Sequence, residues 1–255
     1  MSFDACAALV EKADPERFRA IMAAPVAARR VLFPIYAFNV EIIRAPWLTK
    51  EPMIAEMRLQ WWRDALEEIK AGGIVRKHEV VDALAAVLDA QGAEALDTTI
   101  AARRWDIYTD PFADWVDFDA YIAATSGAPM ITAARLLGNE NAAVVGDFAY
   151  ATGVANLLRA LPVLLDRQRQ PLPDASAEGI AGLAQRALAR LGAARTARRA
   201  LPHHASAPLL LGHAARPILT QAAKDPVAAL QGRLELTPLR QSLRLAHVAL
   251  RGWWV

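Results

Sequence analysis

Apolar residues recur every three or four positions along most of the chain, which is the period of an amphipathic α-helix. One such stripe lies between residues 49 and 71 and is followed by two glycines at 72 and 73. Its members are Ile54, Met57, Trp61, Ala65 and Ile69, widened by Trp62 and Leu66. The pattern predicts a helix of about five turns that buries this stripe and ends at the glycines.

Similar periodicity predicts helices over residues 79–90, 118–137, 141–165, 176–200, 207–222, 226–234 and 238–251. Asp14 and Thr237 each precede a proline, the arrangement of a capping residue followed by the first helical position. No segment alternates convincingly between apolar and polar residues as a strand would. We therefore predict an all-α protein with a single domain over residues 1–255.

Composition adds limits on the class of protein. The 255 residues are 55% hydrophobic, enough for a substantial core, and the net charge of +2 does not favour nucleic acid as a partner. Cys6 is the single cysteine, which excludes an intramolecular disulfide and fits a reducing compartment. The N-terminal residues lack the pattern of a secretory signal, and polar residues or proline interrupt each apolar run, so we expect a cytoplasmic protein without a membrane span.

Few residues suggest metal chemistry. His203 and His204 lie in a proline-flanked segment where solvation is favoured over metal binding. Asp106, Asp110 and Asp114 are spaced by four residues, a pattern that on one helix could hold magnesium through substrate phosphates. Because Pro111 disfavours a continuous helix there, we expect a solvated acidic loop instead.

Four segments together resemble the squalene/phytoene synthase family. They are RRVLFPIYAF at 29–38, YIAATSG at 121–127, GVANLLR at 153–159 and RQPLP at 169–173. Their order and spacing match the family over nearly the whole chain. The resemblance implies an isoprenoid-synthase-type helical bundle around a central cavity.

In that family two aspartate-rich motifs face each other and hold the magnesium ions that bind a prenyl diphosphate. Here Ile43 and Trp47 stand about where the first motif has its aspartates, and Ala160 and Leu164 replace those of the second. Side chains without oxygen ligands cannot bind a hard divalent cation. We therefore expect no metal and no cofactor. The resemblance implies six cavity candidates, namely Arg30, Tyr36, Asn39, Glu41, Asn156 and Arg159.

Asn156 and Arg159 are polar residues inside a long apolar run, VANLLRALPVLLD. The interpretation we favour is structural: Arg159 is buried and pairs with a carboxylate such as Glu41, because an unpaired buried charge is costly. In the alternative interpretation, Arg159 lines a pocket that binds an anionic head group.

A closer resemblance is to the catalytically altered branch of the family that contains the mitochondrial complex I (NADH dehydrogenase) assembly factor 6 and its bacterial relatives. The supporting segments are AFNVE at 37–41, MRLQWW at 57–62, LRALP at 158–162 and RGWW at 251–254. This resemblance implies a non-catalytic role in assembly or maturation of respiratory complex I, with its subunits or assembly intermediates as partners, at the inner face of the cell membrane.

Two other functions stay open. One is an active prenyltransferase that condenses prenyl diphosphates head to head and binds metal through displaced carboxylates such as Glu41, Asp106 or Asp110. The other is an isoprenoid- or lipid-binding protein that keeps the cavity and carries out no reaction.

The last predicted helix has a basic and an apolar face. Arg240, Arg244, His247 and Arg251 share one face, while Leu239, Leu243, Ala246 and Leu250 line the other. We expect the apolar stripe to close the bundle, leaving the arginines solvated. The alternative is a peripheral contact with an anionic membrane.

Overall fold

The computed structural model describes residues 2–108, 110–202 and 205–255. These residues form α-helices, short 3₁₀ segments and turns, and they contain no β-strand. The α-helices are α1 (Ser2–Ala13), α2 (Pro15–Met22), α3 (Val26–Arg44), α4 (Pro52–Lys70), α5 (Glu79–Ala85), α6 (Ala90–Arg103), α7 (Trp115–Ile122), α8 (Ala128–Leu136), α9 (Ala142–Asp166), α10 (Ala177–Thr196), α11 (Ala215–Lys224), α12 (Val227–Leu230) and α13 (Pro238–Arg251). His203 and His204, which we expect to be solvated, lie outside the described residues.

Short irregular segments connect several helices. The 3₁₀ segments are Ala45–Trp47, Arg104–Asp106, Arg198–Ala200 and Ala207–Gly212. A π-helical turn, Ala123–Gly127, joins α7 to α8 so that the backbone remains helical from residue 115 to residue 136.

The helices α3 and α9 form the centre of the bundle. α3 packs against α1, α5 and α8, while α9 packs against α8, α10 and α11. With 25 residues and a mean hydropathy of 1.4 in its most apolar window, α9 is long and apolar enough to cross a membrane by length and composition alone. The rest of the protein buries 56% of that window, which is the environment of a core helix.

Both predicted helix starts are confirmed. The Asp14 carboxylate accepts a hydrogen bond from the Arg17 backbone N–H at 2.9 Å and caps α2. The Thr237 hydroxyl accepts one from the Arg240 N–H at 3.4 Å and caps α13. After the C-terminal end of α4, Gly72 adopts a φ of +68°, a conformation that glycine reaches without steric cost.

The prediction of one helix over residues 207–222 was wrong. Residues 207–212 form a 3₁₀ segment, and α11 begins at Ala215. Gly212 lies so close to α9 that a Cβ atom there would be 2.3 Å from the Thr152 hydroxyl and 2.4 Å from the Phe148 ring. This close approach of backbone to α9 is a tertiary constraint that periodicity does not reveal.

Two further helix predictions had the wrong extent, and two helices, α1 and α6, were missed. Helical structure predicted over 79–90 ends at Ala85, and that over 226–234 is confined to α12. Of these two, α6 follows the capping residue Asp89, whose carboxylate accepts a hydrogen bond from the Gly92 N–H at 2.8 Å. α6 is rich in small and polar residues, so its apolar periodicity is weak.

The predicted apolar stripe of α4 is only partly buried. Ile54 and Met57 have exposed fractions of 39% and 66%, while Leu59 is fully buried. The core-facing residues of α4 are Ala55, Leu59, Trp62, Ala65, Leu66 and Ile69. The first two turns therefore direct their larger apolar side chains toward solvent rather than toward the core.

A matched pair of substitutions tests this orientation of α4. Leu59→Ala removes a fully buried side chain and should lower the free energy of unfolding by about 2–5 kcal/mol. Met57→Ala, one half-turn away, should change it by no more than about 0.5 kcal/mol because the side chain is exposed. Urea unfolding of both variants measures the difference, and equal losses would contradict the orientation.

Candidate functional site

A central cavity of about 440 Å³ lies between α3 and α9. α3 contributes Tyr36, Asn39 and Ile43, whose spacing of three and four residues places them on one face. α9 contributes a facing stripe that includes Asn156 and Ala160. The remaining wall comes from α2, the 3₁₀ segments after α3 and α6, the end of α6, the segment from α7 to α8, Arg167 after α9, and Leu211.

Three of the six predicted cavity residues lie on this wall. Tyr36 and Asn39 are buried on α3, and Asn156 faces them from α9 with a more exposed side chain. Two of the four segments that carry the family resemblance, 29–38 on α3 and 153–159 on α9, thus meet across one cavity. The structure separates the other three candidates from it.

Glu41 does not face the central cavity, contrary to the prediction. It lies two residues after Asn39, a rotation of about 200° around the helix, and therefore projects from the opposite side of α3. There it lines a separate groove beside α4 and makes an ion pair with Arg44 at 3.7 Å. Asp110, another carboxylate considered for metal binding, is exposed and is not part of the cavity wall.

The predicted cavity positions of Arg30 and Arg159 were also wrong. Arg30 precedes Tyr36 by six residues, so it lies on another face of α3, where it is exposed. Arg159 lies at the edge of the cavity-facing stripe of α9, but its guanidinium pairs with Glu16 at 3.0 Å and Glu235 at 3.5 Å. The predicted pairing of Arg159 with a carboxylate is confirmed, whereas Glu41 as its partner and the full burial of Arg159 were wrong, since 21% of its side chain is exposed.

A hydrogen-bonded triad closes one end of the cavity. Arg103 donates to Asp106 at 2.9 Å and to the Tyr121 hydroxyl at 2.7 Å, and that hydroxyl donates to Asp106 at 2.8 Å. Asp106 is buried, so the expectation of a solvated acidic loop was wrong at this residue. Asp114 instead caps α7, accepting hydrogen bonds from the backbone N–H groups of residues 116 and 117.

Burial and the neighbouring charges both shift the pKa values of the triad, and some of these shifts oppose one another. Burial raises the pKa of the Tyr121 hydroxyl, and the carboxylate of Asp106 adds to that effect while Arg103 opposes it. Desolvation disfavours the charge on Arg103, but Tyr121 and Asp106 outweigh it and raise the pKa of the guanidinium. The triad therefore contains a neutral tyrosine between an arginine cation and a carboxylate.

Arg169 fixes the same corner of the cavity from the turn after α9. Its guanidinium donates to the backbone carbonyl oxygens of Trp105 and Asp106. It also lies 5.4 Å from the centre of the Trp47 ring, and Arg167 lies 4.5 Å from that ring on the same turn. The RQPLP segment thus links the 3₁₀ turns after α3 and α6.

The charged groups on the cavity wall are mainly cationic. Arg17, Arg103 and Arg167 line it, and Asp106 is the only carboxylate among the described residues of the wall. Arg17 lies 5.0 Å from the centre of the Tyr36 ring. Burial raises the pKa of Tyr36 to about 12, although the charge of Arg17 opposes the shift. Tyr36 is therefore protonated at neutral pH and can donate a hydrogen bond into the cavity.

Several buried polar atoms on the wall have no hydrogen-bond partner within the described part of the chain. They are Asn39 Oδ1, Arg103 Nε and Trp105 Nε1. Buried polar groups are normally paired, because leaving one unpaired costs about 1–3 kcal/mol. Two of the three are donors, and all three belong to residues of the cavity wall.

The wall does not fit magnesium, the ion that the family resemblance implies. The four positions expected to replace the aspartates, Ile43, Trp47, Ala160 and Leu164, all line the cavity. None of them offers a side-chain oxygen, and Asp106 already accepts hydrogen bonds from Arg103 and Tyr121. Among the described residues no group of three histidine, cysteine or acidic side chains could hold a metal ion.

Sequence reasoning missed most of the polar wall. Arg17, Arg103 and Arg167 were not predicted as cavity residues, because charged residues near helix ends resemble ordinary solvated positions. Tyr121 was within reach of prediction, since it begins the YIAATSG segment that carried part of the family resemblance. The π-helical turn places Thr125 and Ser126 of that segment on the cavity wall.

The squalene/phytoene synthase profile matches residues 10–179, and the chain belongs to this family. A Drosophila melanogaster protein, the homolog of NADH dehydrogenase (ubiquinone) complex I assembly factor 6, is 29% identical over 177 residues. That match covers 65% of this chain and 52% of the relative, so it spans about half the length of the curated protein. The predicted family and the similarity to this assembly factor are both confirmed.

Two solved structures share the fold over nearly the whole chain. A dehydrosqualene synthase in complex with ligand has a TM-score of 0.79 at 14% identity, covering 98% of this chain and 96% of that one. The squalene synthase HpnC from Alicyclobacillus acidocaldarius has a TM-score of 0.71 at 19% identity, covering 91% and 94%. At these identities the matches show the fold alone, and they confirm the prediction of an all-α isoprenoid-synthase-type bundle.

The ion pairs of Arg159 lead to a specific stability prediction. Arg159 and Glu16 each expose about a fifth of their side chains, 21%, so removing the arginine leaves a carboxylate that water reaches. Arg159→Ala should therefore lower the free energy of unfolding by about 1–2 kcal/mol, less than the loss of a fully buried pair. Urea denaturation measures the loss.

The matched control for this experiment is Arg30→Ala, which removes an exposed arginine from α3 and should stay within about 0.5 kcal/mol of the wild type. A loss of 4 kcal/mol or more for Arg159→Ala, on the order expected for a dry ion pair, would contradict the exposure seen in the structure.

Proposed function

We propose that this protein assists assembly or maturation of respiratory complex I and does not catalyse magnesium-dependent prenyl transfer. The observation that carries the proposal is the composition of the cavity wall. The four positions at which the family resemblance places magnesium-binding aspartates hold Ile43, Trp47, Ala160 and Leu164. A prenyl diphosphate leaving group needs a divalent cation to offset its developing charge, and these side chains cannot bind one.

The similarity to a complex I assembly factor 6 homolog supports the proposed role in complex I assembly. The partners would be subunits or assembly intermediates of complex I, and the protein would act in the cytoplasm at the inner face of the cell membrane. An active prenyltransferase has less support, because Glu41 and Asp110 lie away from the cavity and Asp106 is paired with Arg103.

Deletion of the gene in its own host tests the assembly function. The expected result is a loss of fully assembled complex I, measured by native gel electrophoresis of membranes and by their NADH oxidation rate. Squalene and carotenoid contents serve as the control and should not change. Re-expression of this chain should restore the complex. Normal complex I together with altered isoprenoid content would instead favour the prenyltransferase.

A second candidate function is binding of an anionic amphiphile in the cavity without metal. The specific observation in its favour is the set of hydrogen-bond donors that line the cavity beside apolar and aromatic side chains. Arg167 and Arg17 line the cavity, the latter paired with Asp14 at 3.2 Å, and Tyr36 and Asn156 add neutral donors. A phosphate or carboxylate head group could accept from these groups while its chain contacts the apolar residues.

Substitution of Arg167 tests this binding. Farnesyl monophosphate in buffer containing EDTA should quench tryptophan fluorescence, since Trp47 and Trp105 line the cavity. Arg167→Gln should weaken the affinity about tenfold, the effect of losing one charge-assisted hydrogen bond. Arg30→Gln is the matched control and should bind as the wild type does. An affinity that is unchanged in Arg167→Gln, or that requires magnesium, would contradict the candidate.

A further inference from the structure

The last helix, α13, exposes its apolar stripe. Leu239, Leu243 and Leu250 have exposed fractions of 69%, 62% and 86%, and Ala246 between them is exposed as well. These residues follow a spacing of four, three and four, so they form a continuous line along one side of the helix. The expectation that this stripe closes the bundle was wrong.

The opposite side of α13 holds the helix on the protein. Val248 is buried, and the guanidinium of Arg244 donates to the backbone carbonyl oxygens of His213 at 3.1 Å and Val255 at 2.7 Å. Gln241 accepts a hydrogen bond from Arg19 at 3.3 Å. Because these contacts fix the rotation of the helix, the leucine stripe cannot turn inward without breaking them.

Basic residues flank the exposed stripe on one side. Arg240, His247 and Arg251 are all exposed, and on a helical wheel they lie next to the leucines, between the stripe and the protein. α13 contains no acidic residue. This arrangement differs from an ordinary solvated helix face, because the exposed surface combines a line of large apolar side chains with a row of one charge sign.

The basic row continues onto α11. Exposed Arg216 and Lys224 line a shallow pocket together with Arg244. Asp225 also lines this pocket, and its carboxylate pairs with Arg233 at 3.2 Å. Positive charge is therefore in excess over a surface wider than α13 itself.

We propose that α13 lies on the surface of an anionic lipid bilayer, with Leu239, Leu243 and Leu250 inserted below the head groups and Arg240 and Arg251 beside lipid phosphates. A helix with an apolar stripe and basic flanks binds at the membrane interface for two reasons. Its apolar side chains are buried among the lipids, and its basic side chains are attracted to anionic lipid. The 14 residues of α13 give a stripe about 20 Å long, enough for all three leucines to enter one plane.

A bilayer fits this surface better than a protein partner. The stripe is narrow and convex and its charged flank has one sign, whereas a protein would need a complementary acidic groove. The inference goes beyond the assembly function and does not depend on it, since it concerns purified protein and lipid alone. Normal complex I after gene deletion would contradict the assembly function alone, whereas a lack of vesicle binding would contradict only this inference.

Co-sedimentation with vesicles tests the proposal. The wild-type protein should bind vesicles of phosphatidylglycerol and phosphatidylcholine, and it should bind pure phosphatidylcholine at least tenfold more weakly. The triple variant Leu239→Gln, Leu243→Gln, Leu250→Gln should lose about a hundredfold in partitioning into the anionic vesicles. Arg240→Gln with Arg251→Gln should weaken binding to anionic vesicles by about fivefold per arginine and should not affect neutral ones.

The matched control is Ile74→Gln with Val116→Gln, which removes two exposed apolar side chains elsewhere, with exposed fractions of 98% and 76%. It should bind as the wild type does, and all variants should melt at wild-type temperature because only exposed side chains change. Wild-type protein that stays in solution, or a triple variant that still binds, would overturn the proposal. Self-association that is lost in the triple variant, without vesicle binding, would assign the stripe to a protein contact.

Discussion

The triad of Arg103, Asp106 and Tyr121 is the interaction on which the cavity depends. It joins the end of α6 to α7, and Arg169 adds the turn after α9 by donating to the backbone beside Asp106. The triad also engages the only carboxylate among the described residues of the cavity wall. One set of hydrogen bonds thus shapes the cavity and removes its one acidic group from metal binding.

The electrostatics of the cavity follow from that pairing. With Asp106 paired to Arg103, the other charged side chains of the wall are Arg167 and Arg17, and Arg17 is itself paired with Asp14 at 3.2 Å. Apolar and aromatic side chains share the rest of the wall with neutral polar ones such as Asn156 and Ser126. A divalent cation would meet repulsion and no oxygen ligands there, whereas an anion would meet donors. The fold is that of squalene and dehydrosqualene synthases. The wall of this cavity carries Ile43, Trp47, Ala160 and Leu164 at the four positions where the family resemblance places aspartates.

Sequence patterns predicted the helical fold, the family and the facing arrangement of α3 and α9, because those depend on periodicity and on segments such as 29–38 and 153–159. They located Tyr36, Asn39 and Asn156 on the cavity but misplaced Glu41, since a motif gives positions along the chain and not rotation about a helix. The partners of Arg159 were also beyond reach, because Glu16 and Glu235 are brought to it only by the packing of distant segments. The outward rotation of α13 likewise depends on backbone carbonyls that accept from Arg244, which leave no mark in the sequence.

We propose that this cavity does not support magnesium-dependent prenyl transfer. The decisive experiment is titration of the purified protein with magnesium in the presence and absence of a non-hydrolysable farnesyl diphosphate analogue. Isothermal calorimetry should show no magnesium-dependent binding and no synergy between the metal and the analogue. Turnover of farnesyl or geranylgeranyl diphosphate by the same sample should stay at the rate of the buffer alone. Tight, mutually dependent binding of metal and analogue, accompanied by release of pyrophosphate from the diphosphate substrate, would contradict the account.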